Sequence, residues 1–259
     1  MNLGEIVGDA LRYPFSDWKK ILIFGIIIVF SGTLLNIGTS LGIRNFAILG
    51  LLFIIGIIIG FLVQGYQLRI IQSSLAGMDE LPKFNNWKEM FINGIKVFIT
   101  FIVYMIPAIL IIAYGALSFG PDLIGLILNP SSNPSAADLN TLLNTLAIFS
   151  VASLYILIVY PLFAMALANM ASNDSKLGAA FRIGEIFSKI GSIGWLNLII
   201  WYIITGIILI ILILAGTSIT NPISKLTLPI VGPVLLSLIV MPYAYMYFYR
   251  SIALIYKSE

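Results

Sequence analysis

The chain has 259 residues, of which 60% are hydrophobic and 10% charged, with a mean hydropathy of +1.05 and a net charge of +3. That is far more apolar than a soluble core requires, and runs of about 20 apolar residues signal bilayer spans. The chain contains no cysteine or histidine, which excludes disulfides, thiolate catalysis, haem held by either residue and the common zinc sites.

The N-terminus carries an apolar stripe, Leu3, Ile6, Val7, Ala10 and Leu11, opposed by Glu5, Asp9 and Arg12. This spacing predicts an amphipathic helix, and Pro14 should end it. Trp18, Lys19 and Lys20 then lead into a first span from about Ile21 to Ile43. Three acids precede that run and no small-residue cleavage site follows it, so it is expected to be an uncleaved anchor. A second span runs from about Asn45 to Tyr66. Its "IIGIII", Ile54 to Ile59, is apolar on every side, which fits a lipid-embedded helix and not an alternating barrel strand. Gly56 and Gly60, four apart, offer a small-residue face for helix packing.

Next comes a wet stretch, "SSLAGMDELPKFNNWKEMFINGIK", Ser73 to Lys96. Phe84, Trp87, Phe91 and Ile95 recur at helical spacing between Lys83, Asn85, Lys88, Glu89 and Asn93. The pattern predicts a helix lying in the membrane interface, with Asp79, Glu80 and Pro82 at its start. A third span covers roughly Val97 to Phe119, and a loop without Lys or Arg runs from Gly120 to Leu139. The fourth span, Leu142 to Met170, is long and is expected to tilt or bend near Pro161. It carries the small pair Ala164 and Ala168.

After it, "NDSKLGAAFRIGEIFSKIG" predicts a third amphipathic helix, capped by Asp174 or Ser175. Its stripe is Leu177, Ala180, Phe181, Gly184, Phe187 and Ile190, and Glu185 is placed to pair with Lys189. Phe181, Arg182 and Lys189 are its candidate interface residues. The fifth and sixth spans cover about Ile193 to Gly216 and Leu228 to Tyr247. Pro107, Pro161, Pro229, Pro233 and Pro242 are expected to interrupt the third, fourth and sixth spans.

Twelve Lys and Arg residues fall on the side of the termini, including Arg12, Arg69, Lys96, Arg182 and Arg250, against Arg44 and Lys225 on the other. The bias predicts cytoplasmic termini in the plasma membrane. The expected fold is therefore all-α and polytopic. Six transmembrane helices form three hairpins, each preceded by a cytoplasmic amphipathic interface helix. The chain is a single membrane domain, 1–259, with pseudo-repeat units 1–72, 73–172 and 173–259. Residues expected at the interface or in docking are Trp18, Lys19, Lys20, Pro82, Phe84, Trp87, Lys88, Phe91, Lys96, Phe181, Arg182 and Lys189. Pro82 and Trp87 are expected to dock the wet stretch onto the bundle. Helix packing is assigned to Gly56, Gly60, Ala164 and Ala168.

Two segments carry a family resemblance. "DALRYPFSDWKKILIFGI", Asp9 to Ile26, followed by the Gly77-x-Asp79-Glu80-Leu81-Pro82-x-Phe84-x-x-Trp87 core, resembles the archaeal multi-pass membrane family called domain of unknown function four-zero-one-three. "ALANMASNDSKLGAAFRIGEIFSKIG" is more loosely similar to membrane domains attached to glycerophosphodiester phosphodiesterases, with the acid at Asp174. Neither resemblance supplies a catalytic residue or a substrate.

No charged residue lies mid-span, where ion-coupled transporters place theirs. The leading expectation is a non-enzymatic integral membrane protein that organises lipid or a membrane complex. Its partners would be membrane lipids and a second copy or another membrane protein, with no nucleic acid and no cofactor. The alternative is a permease or flippase for an uncharged or lipid-like substrate. A lipid enzyme would need Asp79, Glu80, Glu89, Asp174 and Glu185 to converge.

Overall fold

Asn2 accepts the Glu5 N–H and Glu5 accepts the Asn2 N–H, a capping box that opens α1, Leu3–Arg12. The computed structural model describes residues 2–128 and 135–258. Helix α1 buries Ile6 and Ala10 and stops before Pro14, where a 3-10 turn, Tyr13–Ser16, takes over. Among the described residues every regular element is helical.

The first predicted span is broken. Helix α2, Trp18–Gly32, and helix α3, Leu34–Ser40, meet at an angle of 64°. The cause is local. Ser31 donates its hydroxyl to the Ile28 carbonyl at 2.9 Å and Thr33 to the Val29 carbonyl at 2.6 Å, either side of Gly32. Such back-bonding beside a glycine bends a helix. At 1.5 Å per residue α2 alone reaches about 22 Å, short of the ~30 Å hydrocarbon core.

The other spans are longer than their apolar runs. They are α4, Phe46–Leu75; α5, Trp87–Leu128; α6, Ala136–Ser172; and α8, Trp195–Leu226. The last is built from α9, Val231–Leu235, a π-helical turn, Leu236–Val240, and α10, Met241–Lys257. Among the described residues five helices are thus long and apolar enough to cross a membrane, or six spans if α2 and α3 count as one. The chain is a multi-pass membrane protein on this ground. Helices α5 and α6 run on through Pro107 and Pro161, so those prolines do not break them. The predicted loop from Gly120 is helical as far as Leu128, and its residues 129–134 lie outside the described residues.

The predicted interface helices also differ. The one expected from Phe84 onward starts at Trp87 and is simply the first turns of α5. The third is split by Arg182 into a 3-10 turn, Leu177–Phe181, and α7, Ile183–Ile193. Asp174 and Ser175 do not cap it, since both adopt left-handed backbone with φ of 54°. The split rotates the stripe, so α7 buries Ile186, Ile190 and Ile193 while Phe187 stays exposed.

The chain divides into two compact units, Thr100–Phe163 and the remainder. Within the smaller unit Tyr155 donates to the Tyr104 carbonyl at 2.9 Å, and Phe163 meets Phe101 and Tyr104 edge-on. In the larger unit α2, α4 and α10 surround a core of Phe24, Ile28, Val63, Tyr66, Met90 and Met246.

Glycines set the closest crossings there. A Cβ at Gly65 would overlap the Met90 carbonyl, one at Gly94 the Phe61 carbonyl, and one at Gly25 the Leu238 carbonyl. Leu238 lies four residues before Pro242, which has no N–H to offer it. Of the predicted packing glycines, Gly56 does sit against the Ser31 carbonyl, whereas a Cβ at Gly60 would meet nothing. Ala164 and Ala168 are both buried.

Candidate functional site: a strap held by its carbonyls

Between α4 and α5 the chain runs without helix from Met78 to Asn86. Gly77, at φ 79°, ends α4, with the Met78 N–H returning to the Ser73 carbonyl at 3.0 Å. Pro82 then keeps Leu81 out of the helical region. A segment of this kind leaves its carbonyls without backbone donors, and each must find another partner.

Side chains from the surrounding elements supply them. Arg250 donates to the Met78 carbonyl at 2.7 Å, and Tyr13 to that of Glu80 at 3.3 Å. Lys20 donates to Leu81 at 2.7 Å and Tyr66 to Pro82 at 3.0 Å. Arg69 takes the last two, Lys83 at 3.0 Å and Asn85 at 2.7 Å. The 3-10 turn, α2, α4 and α10 therefore all grip one strap. Two apolar residues set its depth. Leu81 is buried in the core, and Phe84 stacks on Tyr66 with ring centres 4.1 Å apart and planes within 12°.

Arg250 is the centre of the arrangement. Its guanidinium meets Asp9 at 2.7 and 3.2 Å, Asp79 at 2.7 Å, and lies over the Tyr13 ring at 4.7 Å. The side chain is only 3% exposed. An arginine this dry is tolerated because two carboxylates, a carbonyl and a ring face replace its water. Burial pushes the Tyr13 phenol above its usual range, so it serves as a neutral donor. Tyr243 adds a bond to the Leu11 carbonyl at 2.8 Å, which ties α1 to α10 a second time. An open cleft of about 690 Å³ lies beside this cluster, lined by α1 residues and by Asp79 and Arg250.

A smaller version holds the turn after α6. Lys96 donates to the Ser175 carbonyl at 2.9 Å and Gln72 to the Ser175 hydroxyl at 2.8 Å. The buried Asn169 donates to the Ala179 carbonyl at 2.8 Å and accepts from Tyr256 at 2.8 Å.

The residues singled out by sequence fall into three groups. Lys20, Pro82, Phe84 and Lys96 belong to these two clamps. Trp18, Lys19, Trp87, Lys88 and Arg182 are exposed, and Trp87, 46% exposed, stacks loosely on Phe84 with ring centres 6.2 Å apart. Phe91 packs edge-on against Phe61 at 5.6 Å, Phe181 is partly buried, and Lys189 lies over the Tyr256 ring at 5.5 Å. Glu185 pairs with Arg182 at 3.1 Å, not with Lys189.

Asp9, Tyr13, Tyr66, Arg69 and Arg250 were not predicted. Arg250 did leave a signal, since it interrupts "YMYFYRSIALIY" with a charge that demands a partner. Chemically the cluster is a lock. The carboxylates of Asp9 and Asp79 are engaged by a guanidinium, while Glu89 reaches Arg69 at 3.9 Å and Glu185 reaches Arg182.

The family model described as "Protein of unknown function (DUF4013)" matches residues 48–220. The chain belongs to this family. The DUF4013 match spans α4 to α8 and contains the whole strap, while Asp9, Tyr13 and Arg250 lie outside it. The chain is also similar to two proteins of the archaeon Methanocaldococcus jannaschii. One is the uncharacterised protein MJ1189, 26% identical over 82% of this chain and 76% of that protein. The other is the uncharacterised protein MJ0233, 26% identical over 43% of this chain and 47% of that protein. No solved structure matches the chain significantly.

Proposed function

We propose that the protein is a non-enzymatic integral membrane protein that organises lipid, or a membrane complex, around a rigid polar rim. The observation that carries this reading is the contrast between the two ends of its surface. At the rim, six strap carbonyls are held by side chains. Along the spans, by contrast, only 11% of the most apolar window of α4 and 17% of that of α8 is buried within the chain. A rim tied to four elements and flanks that remain uncovered suit a platform, not an alternating-access cycle in which halves rock past each other. The excess of Lys and Arg on the strap side supports a rim in the cytoplasm. There Lys83 and Lys88, both exposed, would add attraction to anionic headgroups.

The test is native mass spectrometry of the full chain released from nanodiscs, beside crosslinking in intact membranes. Retained lipid, or a discrete crosslinked oligomer, is expected. A lipid-free monomer in both experiments would refute the platform.

A further inference from the structure

We infer that Trp18, Trp87 and Trp195 form a one-sided membrane anchor, a belt that holds the strap side of the protein at the boundary between headgroups and acyl chains of one leaflet. The inference goes beyond the platform reading, because it fixes the depth at which the rim sits and not what the rim gathers.

The chain has four tryptophans. Trp201 is fully buried, while Trp18, Trp87 and Trp195 are 63%, 46% and 47% exposed. Each exposed one is the first residue of an apolar helix, Trp18 of α2, Trp87 of α5 and Trp195 of α8. An indole joins a broad apolar ring to a single N–H, so it is most stable where one side is lipid and the other is wet. Lys19 and Lys88 directly follow Trp18 and Trp87, are exposed, and make no ion pair among the described residues. Their ammonium groups are free to reach headgroup phosphates. The nearby acids are turned elsewhere, Asp17 to Lys20 and Glu89 to Arg69. Each indole also has an aromatic companion from the segment before its helix. Phe84 stacks on Trp87 at 6.2 Å and Phe187 meets Trp195 at 5.6 Å. Phe15, itself 72% exposed, precedes Trp18 at the same three-residue spacing that Phe84 has to Trp87.

Contacts along α4 and α10 set the three levels. Phe24 meets Tyr66 of α4 at 4.7 Å, and Trp18 lies six residues nearer the strap side, about 9 Å at 1.5 Å per residue. Helix α5 crosses α4 where Gly65 faces the Met90 carbonyl, and Trp87 lies three residues, about 4.5 Å, from that crossing. Trp87 is thus deeper than Trp18 by about 6 Å. On α10, Phe24 meets Tyr245 at 6.4 Å and Trp201 stacks on Phe248 at 6.5 Å. Trp18 precedes Phe24 by six residues, and Trp195 precedes Trp201 by six. Trp195 is therefore shallower than Trp18 by the step from Tyr245 to Phe248, about 4.5 Å. The three indoles span about 10 Å along the helices, which matches the roughly 5–10 Å over which interfacial side chains enter the headgroup and acyl boundary. At the far ends of the helices the exposed residues are Leu41, Phe46 and Leu226, and Arg44 and Lys225 stand there without an indole beside them. The belt is one-sided for that reason.

The experiment uses the full chain in nanodiscs whose lipids carry bromine either near the ester or near the chain terminus, with iodide as the aqueous quencher. Trp18→Phe, Trp87→Phe and Trp195→Phe are each compared with wild type, so the emission lost in a variant reports one indole. Each component should be quenched roughly threefold more by bromine near the ester than by bromine near the terminus. Iodide should reach Trp195 most and Trp87 least. Where a Phe variant lowers the melting temperature, replacement by Tyr at that position removes the same emission and takes its place. A component reached by iodide but by neither bromine, or one quenched most at the chain terminus, would overturn the belt at any of the three positions. So would an iodide order that runs the other way, from Trp87 to Trp195. Retained lipid and oligomeric state, measured on the same samples, report separately on the platform reading.

Discussion

Replacing Arg250 by methionine tests whether the strap is truly locked from α10. The substitution keeps most of the side-chain volume and removes every donor. The Met78 carbonyl loses its 2.7 Å partner, and Asp9 and Asp79 lose their shared cation. Removing one member of a buried pair commonly costs about 3–5 kcal/mol, because the other charge is stranded. Here the stranded groups can rehydrate, since the Asp79 and Asp9 side chains are 86% and 35% exposed. What remains is chiefly the carbonyl and the partly dry Asp9, so about 2–3 kcal/mol is expected. Asp79→Asn removes a pair whose acid is already in water and should cost less than about 1 kcal/mol. Asp9→Ala leaves the 3% exposed guanidinium with one counterion and should fall close to Arg250→Met. The assay is the apparent melting temperature in nanodiscs at a fixed scan rate, where 1 kcal/mol corresponds to roughly 2–4 °C for a chain of this size. The expected order is Arg250→Met and Asp9→Ala well below Asp79→Asn, with Asp79→Asn near wild type. A Asp79→Asn variant as damaged as Arg250→Met, or an Arg250→Met variant that melts within a degree of wild type, would refute the lock.

Phe84→Ala should lower the melting temperature more than Trp87→Ala, because Phe84 stacks on Tyr66 while Trp87 is 46% exposed; the reverse order would return the docking role to Trp87. Gly65→Val should prevent accumulation of folded protein by separating α4 from the Met90 carbonyl, whereas Gly60→Ala should be silent, both read by size-exclusion yield. In this cysteine-free chain, Ser40→Cys should react with an impermeant thiol reagent from outside intact cells and Asn86→Cys should not. Labelling at position 86 would invert the proposed orientation.

The membrane class, the approximate positions of the spans and the family were legible in the sequence, because each depends on composition over a window or on a local motif. The end of α1 at Pro14 was legible for the same reason. The bend at Thr33 was not, although Ser31, Gly32 and Thr33 spell it out, because a hydropathy window averages over a change of direction. The wet stretch shows the limit most clearly. Phe84, Trp87 and Phe91 have helical spacing, and from Trp87 onward the helix is there. Phe84 nevertheless left the pattern, since Leu81 gains a core site and each strap carbonyl gains a donor only when the chain before Trp87 is extended.

By itself, the sequence determined that this chain is a multi-pass membrane protein and roughly where its long apolar helices lie, because bilayer transfer is a sum over neighbouring residues. Only the tertiary structure decided that Arg250, Asp9 and Asp79 form one cluster and that Gly65 and Gly94 mark a backbone crossing where Gly60 does not. Those facts depend on partners as far apart in sequence as Asp9 and Arg250, and a buried charge or a bare glycine acquires its meaning from whatever the fold sets against it.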